Sequence, residues 1–261
     1  MNNYTTRTIA ELLTPMGVEQ RGTADVPIRW LLTDSRSLSS PEDTLFFAIV
    51  TRRGDGHRYV SQLYQRGVRS FVVSRLPEED VAKAFPEATF LLVADTLHAL
   101  QEVAANHRRR FRIPVVGIAG SNGKTMVKEW LSQMLAPERV VCRSPRSYNS
   151  QIGVPLSVWN LNEETEIGIF EAAISQPGEM AALEHIIQPT IGLFTGLGDA
   201  HQENFSSYKQ KCMEKLLLFR QADTLIYPAG NRVVDICIRE MDFQGRFLPV
   251  EVSADLSPWD L

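Results

Sequence analysis

Short apolar runs separated by polar segments organise the chain up to about residue 110. Three of these runs are rich in Phe, Leu and Val, a pattern typical of short buried strands. They cover residues 45–49, 71–73 and 90–93. Helices are predicted over residues 59–67, where Gly67 ends the helix, and over residues 96–111. We therefore predict a mixed α/β domain over residues 1–110.

After residue 110, apolar runs alternate with helical patterns. The runs lie at residues 113–116, 140–142, 167–170, 190–195 and 224–227. Helices are predicted directly after residue 125 and over residues 179–187 and 208–219. Such alternation indicates a parallel sheet covered by helices, with a ligand crevice at the carboxyl ends of its strands. We predict an α/β protein whose second domain, residues 111–261, is built on a parallel sheet.

Two of the predicted helices carry patterns that indicate their surroundings. The helix after residue 125 has a stripe of apolar residues at helical spacing, which we predict to face the core. The members of the stripe are Val127, Trp130, Leu131, Met134 and Leu135. The helix over residues 96–111 ends in Arg108, Arg109 and Arg110. Because cations are favoured at a helix C-terminus, we interpret this run as a solvated helix end rather than a nucleic-acid patch.

The composition is that of an ordinary globular protein. Hydrophobic residues make up 44% of the 261 residues and charged residues 22%, and the length favours two domains. The net charge of −4 argues against general binding to nucleic acid or anionic membranes, and no apolar run is long enough to span a bilayer. The start of the chain has no apolar segment of a secretion signal, and Cys142, Cys212 and Cys237 fit reduced thiols. We therefore expect a cytoplasmic protein.

The strongest chemical signal is the segment at residues 117–125, which reads Gly-Ile-Ala-Gly-Ser-Asn-Gly-Lys-Thr. Between a strand and a helix, such a loop lets backbone N–H groups converge on a phosphate at the helix N-terminus. Lys124 can reach the terminal phosphates, and the Thr125 hydroxyl can join the coordination shell of Mg²⁺. The spacing departs from the strict P-loop, because Ile118 stands six residues before Lys124 and Gly117 one earlier. We predict a site for nucleotide phosphates.

Polar residues follow two of the predicted strands and are candidates for the same crevice. Glu171 directly follows the run at residues 167–170, where a carboxylate can hold Mg²⁺ directly or through water. The alternative is a helix cap or an ion pair with a lysine. His201 lies beyond the next strand, as a candidate metal ligand or charge-stabilising group. Asp199 and Glu203 compete with it for this role.

Basic residues offer further contacts with an anion. Lys209, Lys211 and Lys215 lie on one predicted helix. They form a cationic solvent face or offset phosphate charge, and a lysine here could react with CO₂ to give a carbamate that binds Mg²⁺. Residues 143–150 form a polar loop whose two arginines could clamp an anionic substrate. Two polar turns in the first domain fit either ordinary turn chemistry or a ligand contact, at residues 33–36 and 55–57.

Together these motifs resemble the Mur ligase family of peptidoglycan synthesis over essentially the whole chain. The matching residues are 33–36, 45–48 and 55–57 in the first domain, and 117–125, Asn149, 152–155, 171–172, 200–201 and Lys215 in the second. The resemblance implies that the first domain binds a UDP-linked substrate. The implied substrate-binding residues are Asp34, Ser35 and Arg36. It also implies that the second domain is an ATPase domain of the Mur type.

The resemblance further implies ATP and two Mg²⁺ ions as cofactors. The residues that would bind ATP are Gly120, Ser121, Asn122, Gly123, Lys124, Thr125 and, near the phosphates, Asn149. The first Mg²⁺ would be held by Thr125 and Glu171, and the second by His201 and a carbamylated Lys215. The implied catalytic residues are Lys124, His201 and Lys215.

The activity that the resemblance implies is ATP-dependent formation of an amide bond. D-alanyl-D-alanine would be added to UDP-N-acetylmuramoyl-tripeptide through an acyl-phosphate intermediate. Ser150 and Leu217 depart from the usual family residues and resemble a bifunctional subgroup in which the ligase is fused upstream of an alanine racemase. Because a further ligase domain is expected downstream, we expect this chain to be an N-terminal fragment that is inactive alone.

Two other interpretations stay open from the sequence. One is another ligase of the same architecture, either a different Mur ligase or an enzyme similar to folylpolyglutamate synthetase. The other is a non-catalytic module that binds nucleotides. A generic P-loop kinase or motor ATPase fits less well, because residues 194–201 do not form an obvious Walker B ending.

Overall fold

A computed structural model describes residues 4–51, 54–77 and 80–251 of the chain. Residues 252–261 of the predicted second domain lie outside this part. The chain divides into two compact units, Met1–Asn106 and His107–Leu261. Within the described ranges, no helix is long and apolar enough to cross a membrane.

A five-stranded sheet forms the centre of the first unit. The strands of the unit are β1 (Glu19–Arg21), β2 (Trp30–Leu32), β3 (Thr44–Phe47), β4 (Val50–Thr51), β5 (Gly54–Asp55), β6 (Ser70–Val73) and β7 (Thr89–Leu92). Its sheet order is β1-β7-β6-β3-β2, with β1 antiparallel to β7 and the other neighbours parallel, while β4 and β5 form a separate antiparallel pair. The helices are α1 (Thr6–Leu12), α2 (Val60–Gln65), α3 (Val81–Ala84) and α4 (Thr96–Arg108), the last of which ends at the start of the second unit.

Aromatic side chains from neighbouring strands fill the core of this unit. Phe46, Phe71 and Phe90 come from β3, β6 and β7 and are fully buried. The Phe71 and Phe90 rings stack with centroids 5.1 Å apart, and Phe46 meets Phe71 edge-on at 6.4 Å. Strands buried on both faces read as continuous apolar runs, which is why the sequence predicts these three strands.

The second unit is a six-stranded parallel sheet covered by helices. Its strands are β8 (Val115–Ala119), β9 (Val141–Arg143), β10 (Ile167–Glu171), β11 (Ile191–Phe194), β12 (Thr224–Ala229) and β13 (Arg246–Glu251). Its helices are α5 (Lys124–Leu135), α6 (Gly153–Val158), α7 (Glu179–Ile187), α8 (Tyr208–Leu216) and α9 (Arg232–Glu240). The order β13-β12-β11-β8-β10-β9 places β8 between β10 and β11, so their carboxyl ends lie side by side. The predicted α/β fold with a parallel sheet is confirmed.

Helix α5 buries a different face from the one that the sequence predicts. Three members of the apolar stripe pack against the core formed by β8 and β10, namely Val127, Leu131 and Leu135. Trp130 and Met134 are 52% and 75% exposed, so their predicted place in the core is wrong. The buried face is rotated towards Lys128 and Ser132, which are both buried. Lys128 can be buried there because nearby carbonyl groups accept hydrogen bonds from its ammonium.

The arginine run at the end of α4 is only partly solvated. Arg109 and Arg110 are exposed, but Arg108 is buried. The Arg108 guanidinium donates hydrogen bonds to the carbonyl oxygens of Ile187 at 2.9 Å and Gln188 at 3.0 Å, at the end of α7. Burial lowers the pKa of Arg108. The interpretation of a solvated helix end is therefore wrong for Arg108, whose charge instead stabilises the C-terminus of another helix.

Candidate functional site

The glycine-rich loop leaves the end of β8 and leads into α5. Gly120 has φ +144°, and a Cβ atom there would lie 2.0 Å from the Thr195 Oγ1 atom, so only glycine fits. Gly123, with φ +79°, precedes the first residue of α5 and provides no side-chain cap. The N-cap position therefore supplies no acceptor to the first N–H groups of α5, which can receive an anion.

The segment after β11 holds this loop in place. The Ser121 N–H group donates to the carbonyl oxygen of Gly196 at 2.9 Å, and the Ser121 hydroxyl donates to that of Gly198 at 3.1 Å. The Thr195 hydroxyl donates to the carbonyl oxygen of Asn122 at 2.6 Å. The loop is therefore fixed by the segment that follows β11 as well as by its own glycines.

Two lysine ammonium groups meet at the Gly120 carbonyl. Lys124 Nζ donates to Gly120 O at 2.9 Å and to Ser121 O at 3.1 Å, and burial lowers its pKa. Lys215 Nζ, from α8, donates to Gly120 O at 3.3 Å. Burial and the neighbouring cations of Lys124 and Lys211 lower the pKa of Lys215 from about 10.5 to about 8. The structure thus brings two predicted site residues together and leaves one of them partly neutral near pH 8.

Glu171 stands at the end of β10 and is fully buried. Its Oε2 atom accepts a hydrogen bond from the Thr125 hydroxyl at 2.8 Å and one from the Asn149 side-chain amide at 3.4 Å. Three predicted site residues therefore lie in contact. Carboxylate and hydroxyl oxygens are hard ligands of the kind that Mg²⁺ prefers, so this set of side chains fits a magnesium ion beside the phosphate loop.

A fourth member of this cluster, Lys128, is not singled out by the sequence. Lys128 Nζ lies 3.3 Å from Glu171 Oε1 and 3.1 Å from Glu129 Oε1. It donates to the carbonyl oxygen of Ser144 at 2.8 Å and to that of Arg146. A lysine one turn into a helix is usually solvated, so no sequence signal distinguishes it. The loop that holds these carbonyls begins after β9, which places the polar loop of residues 143–150 against α5.

His201 occupies a different environment from the other predicted metal ligands. It is exposed and has a left-handed backbone, with φ 59°. In the described part of the chain, its imidazole makes no hydrogen bond with Glu171 or Lys215, and no group of three or more His, Cys, Asp or Glu side chains is placed to hold a metal ion. The shared site of His201 and Lys215 remains a prediction.

Buried Lys211 holds the segment before His201. From the sequence, a cationic face in solvent is one of two interpretations of this lysine. Lys211 Nζ donates to the carbonyl oxygens of Gly198 and, at 3.3 Å, Ala200. Burial lowers its pKa. Lys211 is therefore not solvated, and it fixes the backbone next to His201.

In the first unit, Ser35–Ser37 forms a short 3₁₀ turn that the side chain of Asp34 caps. The Asp34 side chain accepts hydrogen bonds from the Arg36 N–H group at 3.0 Å and from its guanidinium at 2.6 Å. Ser35 is buried, and its carbonyl accepts a hydrogen bond from Arg66 at 2.7 Å. The Arg36 side chain is exposed and can take part in binding an anion, but its partner in the structure is Asp34.

The turn at residues 55–57 is held by its own side chains. His57 Nδ1 lies 2.6 Å from Asp55 Oδ1, and His57 Nε2 accepts a hydrogen bond from the Ser74 N–H group at 3.0 Å. Both nitrogens of this imidazole have partners, which favours the structural interpretation of this turn.

Comparisons with known proteins agree with this geometry. A family model described as the Mur ligase middle domain matches residues 118–248. The UDP-N-acetylmuramoyl-tripeptide–D-alanyl-D-alanine ligase of Synechocystis is 38% identical over 177 residues, which cover 68% of this chain and 38% of that protein. The crystal structure of MurF from Acinetobacter baumannii superposes with a TM-score of 0.82 at 24% identity, over 95% of this chain and 53% of that one.

A second structural neighbour was crystallised with a nucleotide. MurF ligase from Thermotoga maritima in complex with ADP has a TM-score of 0.73 at 24% identity, over 85% of this chain and 50% of that one. At these identities the structural likeness shows the fold. The chain spans well under two thirds of the length of each of these relatives.

The family model covers the parts of the chain on which the site depends. Its span of residues 118–248 is about half of the sequence and includes Glu171, Lys215 and the phosphate loop except its first residue. It also covers most of the parallel sheet that positions them. The chain therefore belongs to the Mur ligase family.

Proposed function

We propose that this chain carries the ATP-binding part of a ligase that adds D-alanyl-D-alanine to UDP-N-acetylmuramoyl-tripeptide. The observation that carries the proposal is the hydrogen bond from Thr125 to the buried carboxylate of Glu171, directly beside a phosphate loop on which Lys124 and Lys215 converge. The name of the Synechocystis relative supports the choice of substrates.

The proposed reaction brings anions together, and the site supplies positive charge. A substrate carboxylate oxygen forms a bond to the γ-phosphorus of ATP while the bond to the ADP oxygen breaks, which gives an acyl phosphate. The amine of D-alanyl-D-alanine then forms the amide bond, loses a proton and expels phosphate. Lys124 and the N–H groups of α5 would hold the transferred phosphoryl group, and Thr125 and Glu171 would hold Mg²⁺. When bound, the metal supplies charge neutralisation at the phosphate oxygens.

Lys215 has the properties that a carbamylated lysine needs. Only a neutral amine reacts with CO₂, and a pKa of about 8 leaves about half of the Lys215 amines neutral at pH 8, whereas an ordinary lysine is almost fully protonated. We propose that the carbamate and His201 hold a second Mg²⁺. Carbon-13 NMR with labelled bicarbonate should show a carbamate signal that is absent from Lys215→Arg. A signal that persists in this variant would assign the modification elsewhere.

The first unit is proposed to bind the UDP-linked substrate, with Asp34, Ser35 and Arg36 in contact with it. The guanidinium of Arg36 already pairs with the carboxylate of Asp34. To bind the substrate, Arg36 must therefore either contact it alongside Asp34 or give up the ion pair with Asp34. We also propose a cytoplasmic location and a longer parent protein with the rest of the ligase downstream. A fused alanine racemase stays a prediction for that parent, and sequencing beyond residue 261 tests it.

The experiment on function has two arms. Calorimetry of this chain with ATP and Mg²⁺ should show binding, and Lys124→Ala should weaken it at least about tenfold, because a charged hydrogen bond to phosphate contributes roughly 1.5–3 kcal/mol. The longer parent should release phosphate only when UDP-N-acetylmuramoyl-tripeptide, D-alanyl-D-alanine and ATP are all present. If ATP binds but the parent releases no phosphate with these substrates, the chain is a nucleotide-binding module or a different ligase.

A further inference from the structure

The proposed reaction gives no role to one buried cation of the site. Lys128 is fully buried on α5, with its Nζ atom 3.3 Å from Glu171 Oε1. Its other acceptors are the carbonyl oxygens of Ser144, at 2.8 Å, and Arg146, and Glu129 Oε1 lies 3.1 Å away. An ammonium group has three N–H donors, so these acceptors use its full capacity and fix its position.

The two oxygens of the Glu171 carboxylate therefore have different partners. Oε1 faces Lys128, whereas Oε2 accepts hydrogen bonds from Thr125 at 2.8 Å and Asn149 at 3.4 Å. Asn149 belongs to the same loop whose carbonyl groups bind Lys128. One ammonium group thus holds both the carboxylate and the loop that contacts its other oxygen.

We propose that Lys128 is a positioning residue, which orients Glu171 so that Oε2 and the Thr125 hydroxyl together form one Mg²⁺ site. The inference rests on the proposed function, because it concerns the metal that accompanies the nucleotide. Two effects of Lys128 oppose each other: its charge repels a cation, and its hydrogen bonds fix the ligand. Loss of a residue that orients a metal ligand typically lowers metal affinity about 10- to 100-fold, so positioning should prevail.

The test measures binding of a fluorescent ATP analogue to the full chain as Mg²⁺ is varied. Lys128→Met removes the ammonium and keeps an unbranched side chain, and Lys83→Met, at an exposed lysine of α3, is the control for net charge. The Mg²⁺ concentration at half-saturation should rise about tenfold or more in Lys128→Met. Affinity in EDTA should be unchanged, because Lys124 and the loop backbone are intact.

A double-mutant cycle with Glu171→Gln separates positioning from a structural role. If Lys128 acts through the Glu171 carboxylate, then Lys128→Met should cause no further shift in half-saturation once that carboxylate is replaced. The double variant also removes both charges of the buried pair. Because no buried charge is then left unpaired, the comparison remains possible if Lys128→Met alone fails to fold. Circular dichroism identifies the folded variants.

Each outcome decides the matter. An unchanged or lower half-saturation in Lys128→Met, or an equal shift with and without the Glu171 carboxylate, overturns the proposal. So does an equal loss of affinity in EDTA and in Mg²⁺, which indicates general damage. If the unmodified chain shows no Mg²⁺-dependent binding, the proposed function fails and this inference fails with it. The results that overturn only the role of Lys128 do not affect the proposed function.

Discussion

Burial governs how His107, in the last turn of α4, takes up protons. The imidazole is fully buried, with its Nε2 atom 2.9 Å from the carbonyl oxygen of Leu161. The rings of Phe111 and Trp159 pack against it, with centroids 4.9 and 4.7 Å away. Burial lowers the pKa of His107 from 6.5 to about 4, so the folded protein holds this side chain neutral in mild acid.

We expect His107 to make stability fall as the pH decreases from about 6.5 to about 4. In this interval the unfolded chain binds a proton at residue 107 that the folded chain does not bind, which lowers the free energy of unfolding. The difference between the two pKa values corresponds to about 3 kcal/mol by pH 4. Urea unfolding at pH 7 and pH 4.5 should show a smaller decrease for His107→Gln than for the unmodified chain. Equal decreases would contradict this account, and His98→Gln, at an exposed histidine of α4, is the control.

Site residues can be predicted from the sequence where a motif or a strand end indicates their chemistry. Thr125, Asn149 and Glu171 are predicted from a loop, a motif and a strand end, and the structure joins them by hydrogen bonds. Lys128 could not be predicted, since a helical lysine is ordinarily solvated. Its burial depends on carbonyl groups such as that of Ser144, 16 residues later, which only tertiary structure brings within reach.

At the scale of elements, α5 has apolar residues on both its buried and its exposed surface. Leu131→Ala removes a side chain packed against the core of β8 and β10, so it should lower the free energy of unfolding by about 2 kcal/mol. Trp130→Ala, at the adjacent but exposed position, should change it by no more than about 0.5 kcal/mol. Urea titration of both variants measures the difference. A similar loss in both would show that Trp130 is covered in solution.

Strands and helices can be predicted from the sequence where their buried positions form an apolar pattern. Strands β6, β7, β10 and β11 are found because their buried positions are apolar, and α7 begins and ends at the predicted residues. Strand β1 reads Glu-Gln-Arg and is exposed throughout at a sheet edge, so no apolar pattern indicates it. Strand β13 also lies at an edge, mostly exposed and with Pro249 inside it. Backbone pairing with a neighbour defines both of these strands.

At the scale of the whole molecule, the residues that we predict to contact ATP all lie in the second unit. Saturating ATP and Mg²⁺ should therefore slow amide hydrogen exchange in β8, α5 and β10. The free energy of the opening that permits exchange should rise by up to about 2.7 kcal/mol when ATP is in hundredfold excess over its dissociation constant. Exchange in β3 and β6 of the first unit should stay the same. Mass spectrometry of peptic fragments measures this, with Lys124→Ala as the control. Equal protection of β6 would contradict the assignment.

The fold class is predictable because strands and helices alternate in the second half of the sequence. Strand order is not, because several parallel arrangements satisfy the same alternation. The observed order places β8 between β10 and β11 rather than beside β9, the next strand along the chain. That choice depends on packing between distant segments, such as the fit of Gly117 against Pro189.

This central position of β8 has a consequence for how the protein is made. Both hydrogen-bonding neighbours of β8 leave the ribosome after it, about 50 and 75 residues later, which takes several seconds at usual rates of synthesis. Until then, the apolar segment that becomes β8 has no strand to pair with, and chaperones that bind exposed apolar segments can bind it. The loop that binds phosphate is thus translated early in its unit, but it cannot hold a nucleotide until much of that unit has emerged.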